Sequence, residues 1–240
     1  MNPLAKSSDP QVLKSSNSTF RLLVFDLDGT LVDSRRDLAE SANSLLAECG
    51  RGPLPEDVIG RMVGDGAARL VERAFATAGC AQPADALPRF LAIYNSRLLK
   101  FTRPYPQIPD VLTALAARAP LAVLTNKPLA AARHILDGLG LGHHFPPARV
   151  VGGDGPFPRK PQAAGLLHLV AAAGVTPAET VLVGDSLIDW RTARAAGSHM
   201  CLAGYGFGFE GVPTEDLGET DHMVEAPADL LTVLWGQSGV

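Results

Sequence analysis

The segment that most constrains this chain is Leu22-Leu23-Val24-Phe25, four consecutive apolar residues that run directly into Asp26-Leu27-Asp28-Gly29-Thr30. An apolar run this short, with no alternation, is the pattern of a strand buried on both faces, and such strands belong to parallel sheets covered by helices. Its abrupt end in acids and a glycine places polar groups at the carboxyl end of the strand. In open parallel sheets that is where ligands bind.

The rest of the chain separates into two rhythms. From about residue 34 to 101 only helix-period stripes occur: Leu38, Ala42, Leu45, Leu46 and Cys49, then Leu70, Val71, Ala74, Phe75 and Ala78, then Leu87, Phe90, Leu91, Tyr94 and Leu98. Gly50 and Gly79 close the first two. After the turn-rich Arg103-Pro104-Tyr105-Pro106, helix and strand alternate. Helices are predicted near 108–118, 129–139, 162–173 and 190–196, and strands at 121–124, 149–151, 180–183 and, as the last strand, 199–202. Alternation at this spacing implies right-handed crossovers and a parallel sheet. The predicted fold is an α/β, Rossmann-like parallel-sheet core, residues 20–33 and 102–240, with an inserted all-helical cap domain at 34–101. Residues 1–19, rich in Ser and Asn and without periodicity, are predicted to be a disordered leader.

Composition narrows the partners. A net charge of −4 and the absence of any Lys/Arg block exclude a large basic footprint, so no nucleic acid is expected. No apolar stretch is long enough to span a membrane, and no signal-peptide run precedes the first strand. Cys49, Cys80 and Cys201 are odd in number and widely spaced, which fits a reducing compartment. A cytoplasmic monomer or homodimer acting on a small molecule is the expectation.

The predicted strand ends collect one set of residues. The first supplies Asp26 and Asp28, the second Thr125 and Asn126, and the fourth Asp185, Ser186 and Asp189, while Lys160 arrives after the third. Clustered carboxylates without His or Cys suit a hard, oxygen-seeking divalent cation. A carboxylate attacking a phosphate dianion is repelled by about 4 kcal/mol per unit charge pair at ~4 Å and an effective dielectric near 20. A cation, Lys160, the Thr125 hydroxyl and the helix N-terminus near Pro128 offset that repulsion. The set is coherent for phosphate monoester hydrolysis through a covalent intermediate. Lys127 and Asp154 stand between site lining and solvated loop. Gly204, Gly206 and Gly208 lack the dinucleotide-binding spacing and are read as a mobile loop.

Four segments resemble the motifs of the haloacid dehalogenase superfamily, in the same order: Asp26-Leu27-Asp28-Gly29-Thr30-Leu31-Val32-Asp33-Ser34, Leu124-Thr125-Asn126-Lys127-Pro128, Arg159-Lys160-Pro161 and Val183-Gly184-Asp185-Ser186-Leu187-Ile188-Asp189. The likeness runs from about residue 20 to 235. Softer matches, Pro104-Tyr105-Pro106, Gly152-Gly153-Asp154, Tyr205-Gly206 and Val63-Gly64-Asp65-Gly66-Ala67, resemble its phosphoglycolate phosphatase-like group. The resemblance implies Asp26 as nucleophile and Asp28 as the acid that protonates the leaving oxygen and then activates water. It further implies Mg2+ held by Asp26, the Asp28 carbonyl and Asp185, with Asp189 close by. Asn126, Lys127, Gly64 and Arg61 are the expected substrate contacts, with Gly66 and Arg69 as further cap candidates, and a small phosphorylated metabolite is the expected substrate. A sugar-phosphate mutase, a nucleotide or pyrophosphate phosphatase and a non-catalytic binding protein share these residues as alternatives.

Overall fold

A computed structural model describes residues 20–208, 211–214, 217–218 and 221–235. The predicted leader lies outside the described residues. Strand β1 (Leu22–Phe25) occupies an inner position in a six-stranded parallel sheet. The other strands are β4 (Leu121–Leu124), β5 (Val150–Val151), β6 (Thr180–Gly184), β7 (His199–Ala203) and β8 (His222–Val224). Their order is β5-β4-β1-β6-β7-β8. The chain builds outward from β1 in one direction through β4 and β5, then returns to build β6, β7 and β8 on the other side. This reversal beside β1 opens a crevice at the carboxyl ends of β1 and β6.

Successive residues of each strand face opposite layers, which explains why the apolar runs are continuous. Leu22, Val24, Ala122, Leu124, Leu182 and Met200 pack against helices α7 (Ala164–Ala173) and α8 (Leu187–Ala196). Leu23, Phe25, Leu121, Val123, Val181 and Val183 face the other layer, formed by α5 (Ile108–Ala116), α6 (Leu129–Gly138) and α9 (Asp229–Trp235). Each fully buried Leu, Val or Phe contributes roughly 1.5–3 kcal/mol.

Between β1 and α5 the chain forms four helices, α1 (Arg35–Glu48), α2 (Glu56–Gly60), α3 (Ala67–Thr77) and α4 (Ala86–Asn95). Their buried side chains, Leu46, Phe75 and Phe90 among them, belong to the same apolar cluster as Leu23 and Phe25. A two-stranded antiparallel ribbon, β2 (Val32–Asp33) with β3 (Arg103–Pro104), forms the stem through which the chain leaves and rejoins the core. Asp37, fully buried at the start of α1, locks this stem: its Oδ2 accepts from the Phe101 N–H (2.8 Å), the Thr102 N–H (2.7 Å) and the Thr102 hydroxyl (2.8 Å).

The sheet and its helices match the α/β expectation, with three corrections. His199–Ala203 is not the last strand, because β8 and α9 follow it. β8 has three residues, the first half-buried and the second exposed, so it lacks a buried apolar run. Helix α8 begins at Leu187 and not Trp190, because Ser186 and Asp189 form a capping box. Helix α7 begins at Ala164, two residues past Gln162. The ribbon β2–β3 and the short α2 carry too few residues for any periodicity to register. No helix among the described residues is long and apolar enough to cross a membrane.

Candidate active site

Asp26 continues β1 by one step: its N–H donates to the Val183 carbonyl at 2.8 Å, which aims the side chain at the crevice. Gly29, at φ +88°, then turns the chain back, and its N–H reaches the Val32 carbonyl at 2.9 Å. A Cβ at Gly29 would sit 2.0 Å from Asp185 Oδ2, so only glycine lets the two strand ends meet.

Asp185, at the end of β6, and Asp189, in the first turn of α8, complete the group with Asp26. One carboxylate oxygen from each lies within 4.8 Å of the others, and all three residues are buried. Lys160 enters from the loop after β5, with Nζ 2.8 Å from Asp26 Oδ1 and 2.6 Å from Asp189 Oδ1. The other Asp189 oxygen accepts from the Ser186 hydroxyl (2.6 Å) and N–H (3.2 Å). Both Asp189 oxygens are therefore engaged by protein groups, whereas Asp26 Oδ1 is buried and accepts no hydrogen bond of good geometry despite the nearby ammonium.

Burial pushes the Asp26 carboxyl up to about 7; Lys160 opposes the shift, while Asp189 and Asp28 add to it. Asp185 is raised well above the carboxylate range by burial and then by Asp189 and Asp26, although the Gly208 and Phe207 N–H groups pull the other way. Burial alone would depress Lys160, but Asp189 and Asp26 outweigh it and hold the ammonium above the ordinary lysine range.

The Asp28 side chain turns to the opposite side. Lys127 Nζ donates to it at 2.9 and 2.7 Å, and the Ser34 hydroxyl at 2.6 Å. Asn126 joins three segments: its Nδ2 donates to the Gly64 carbonyl (2.9 Å) and the Lys160 carbonyl (3.0 Å), and its Oδ1 accepts from the Lys160 N–H (2.9 Å). Asn126 thus ties the α2–α3 loop to the core. Thr125 is buried beside Asp26, and both line a small cavity of about 50 Å³ between the strand ends and the helical segment.

Several residues sit where the sequence did not place them. Arg61 and Arg69 are exposed, bonded to Asp57 at 3.0 Å and Glu72 at 2.6 Å, and neither lines the cavity. A four-residue spacing from Asp57, and three from Glu72, makes these local helix pairs. The N-terminus of α6 is taken: Asp154 Oδ1 accepts from the Leu129 N–H at 2.8 Å, and Pro128 has no N–H to offer. Asp154 is a helix cap. The Gly204–Gly208 segment folds onto the site, where the Phe207 and Gly208 N–H groups donate to Asp185 Oδ2 at 3.0 and 2.8 Å. Tyr94, read only as part of an apolar stripe, accepts from Lys127 Nζ at 2.8 Å. A buried tyrosine hydroxyl requires a polar partner, and that requirement was the available signal.

Four carboxyl groups face two ammonium groups here, so acids outnumber cations in a largely buried site. With oxygen donors only and three buried carboxyl groups clustered together, the residues fit one hard divalent cation.

The family described as haloacid dehalogenase-like hydrolase matches residues 23–203. Phosphoglycolate phosphatase of Rhodospirillum rubrum is 44% identical over 207 residues, 82% of this chain and 84% of that protein. The Chromobacterium violaceum phosphoglycolate phosphatase is 40% identical over 193 residues, 78% of this chain and 86% of that one. Among solved structures, a predicted phosphoglycolate phosphatase from Haemophilus somnus superposes with a TM-score of 0.81 at 31% identity, covering 91% of this chain and 99% of that one.

Proposed function

Because this chain belongs to the haloacid dehalogenase-like hydrolase family, we propose that it is a magnesium-dependent phosphatase that hydrolyses 2-phosphoglycolate through a phosphorylated Asp26. The observation that carries this reading is the buried Asp26 carboxyl, paired with Lys160 and clustered with Asp185 and Asp189, with Asp28 two residues away at the cavity.

In the first step an Asp26 oxygen attacks phosphorus, the bond from phosphorus to the leaving oxygen breaks, and Asp28 delivers its proton to that oxygen. In the second, Asp28 takes a proton from water as the water oxygen attacks phosphorus, which frees inorganic phosphate and restores Asp26. Thr125 donates its hydroxyl hydrogen to a phosphoryl oxygen. Lys160 holds Asp26 in line and places positive charge against the transferring group. The side chains of Asp26 and Asp185 and the Asp28 carbonyl would hold a magnesium ion, with Asp189 beside it, and the ion would supply the positive charge that lets a carboxylate approach a phosphate dianion. Asp189 acts chiefly by orienting Lys160, since both its oxygens are engaged. Asn126 and Gly64 join the helical cap to the core over the cavity, where exclusion of bulk water favours transfer to the one bound water.

The chain is proposed to work in the cytoplasm as a monomer or homodimer. Phosphate release with magnesium tests the reading: kcat/KM on 2-phosphoglycolate is expected to exceed that on an aryl phosphate by at least about tenfold, and chelator should abolish both. Equal values would defeat the substrate assignment, and no release from either ester would defeat the phosphatase.

A further inference from the structure

Resting on that reading of the site, we propose that Lys127 is the receptor for the substrate's carboxylate and that Tyr94 of helix α4 is the positioning residue that holds it. On its helical side the cavity is lined by Val63, Ala67, Leu70, Phe90 and Leu91. A carboxylate entering such walls loses its hydration and requires an opposite charge within contact distance. Among the described residues lining the cavity, Lys127 alone carries a cationic side chain. Arg61 and Arg69 face solvent in local helix pairs, and Lys160 lies behind Asp26, committed to Asp26 and Asp189.

The Lys127 ammonium is buried and held from two sides, by the Asp28 carboxylate at 2.7 Å and by the Tyr94 hydroxyl at 2.8 Å, with Nζ 4.7 Å from the centre of the Tyr94 ring. An ammonium has three donors. The two Asp28 oxygens, 2.9 and 2.7 Å from Nζ, and the Tyr94 hydroxyl are its three acceptors here, so a substrate carboxylate would share the ammonium with Asp28. Lys127 also shares one turn with Thr125, whose Oγ1 accepts from the Lys127 N–H at 3.2 Å. The hydroxyl assigned to the phosphoryl group and the ammonium assigned to the carboxylate therefore stand a short side-chain length apart. That spacing suits a phosphomonoester whose two anionic ends are separated by very few atoms.

Tyr94 belongs to the helical segment and Lys127 to the core, so the receptor is complete only when the two are seated together. Recognition of the carboxylate thereby favours the closed arrangement, a form of induced fit. The substrate class is a short phosphomonoester bearing a carboxylate on its leaving group.

The test compares kcat/KM on 2-phosphoglycolate with that on ethyl phosphate, which has the same carbon count and no carboxylate, in the parent, Lys127→Met, Lys127→Arg and Tyr94→Phe proteins with magnesium. Lys127→Met is expected to reduce the parent's preference for 2-phosphoglycolate about a hundredfold. Lys127→Arg keeps part of the preference, and Tyr94→Phe reduces it about tenfold, through KM. A preference unchanged in Lys127→Met, with both esters slowed alike, overturns the proposal and leaves Lys127 only a partner of Asp28. Should Lys127→Met fail to fold, Tyr94→Phe decides: a rise in the ratio of the two KM values supports the proposal, and equal movement of both overturns it. A parent that turns over both esters equally removes the phosphoglycolate reading and this proposal with it, a result read before any variant is made.

Discussion

Asp26 is a carboxylate that the fold has removed from water before any cation arrives. Burial raises it from an ordinary value of 3.8 to about 7, and Asp185 moves in the same direction. A carboxyl group raised on folding contributes stability that is fully present below its unfolded value and is lost as pH rises through its folded one. The metal-free protein is therefore expected to melt at progressively lower temperature as pH rises from about 4 to above 7. Saturating magnesium should reverse this at neutral pH by roughly 5–10 °C, as mass action at a hundred times Kd supplies about 2.7 kcal/mol. Melting curves with magnesium and with chelator across that range check it; a chelated protein that gains stability with pH would contradict it. Asp26→Asn should flatten the pH dependence and reduce turnover by ~10⁴-fold or more, as loss of a nucleophile does.

At the scale of elements, two short features govern how the site is held. The stem depends on Asp37, whose single oxygen gathers three hydrogen bonds from residues 101 and 102. Asp37→Ala leaves buried donors unpaired and should cost about 3–5 kcal/mol in urea unfolding. The loop after β7 grips Asp185 through two N–H groups, and a Cβ at Gly206 would lie 2.3 Å from the Asp185 Cβ. Gly206→Ala is therefore expected to weaken magnesium binding, measured by calorimetry, by about 10–100-fold while leaving the fold intact. Neither feature was legible in the sequence. Asp37 lies outside the apolar stripe of its helix and drew no reading, and three glycines at alternate positions read as a mobile loop. Short continuous apolar runs such as Leu121–Leu124 declared themselves because burial on both faces leaves a local signature. A contact between residues 37 and 102, or between 185 and 208, leaves none.

For the molecule as a whole, the layered α/β core and the strand-end acids were readable because each strand end carries its own polar residues, and parallel topology forces those ends together. What the sequence could not supply was partnership across the helical segment. It nominated Arg61 and Arg69, which the structure turns to solvent, and missed Tyr94, which it turns inward. Selection of a substrate depends on such pairings, since the helices and the core form one apolar cluster around the cavity. The catalytic reading depends on one bond, between Asp26 and phosphorus. Rapid quenching during turnover of 2-phosphoglycolate, followed by borohydride reduction, converts an aspartyl phosphate to homoserine. Mass spectrometry of the peptide containing residue 26 should find homoserine there only when substrate and magnesium were both present. Unmodified Asp26 in a protein that is releasing phosphate, or reduction at Asp28, Asp185 or Asp189 instead, would contradict the account.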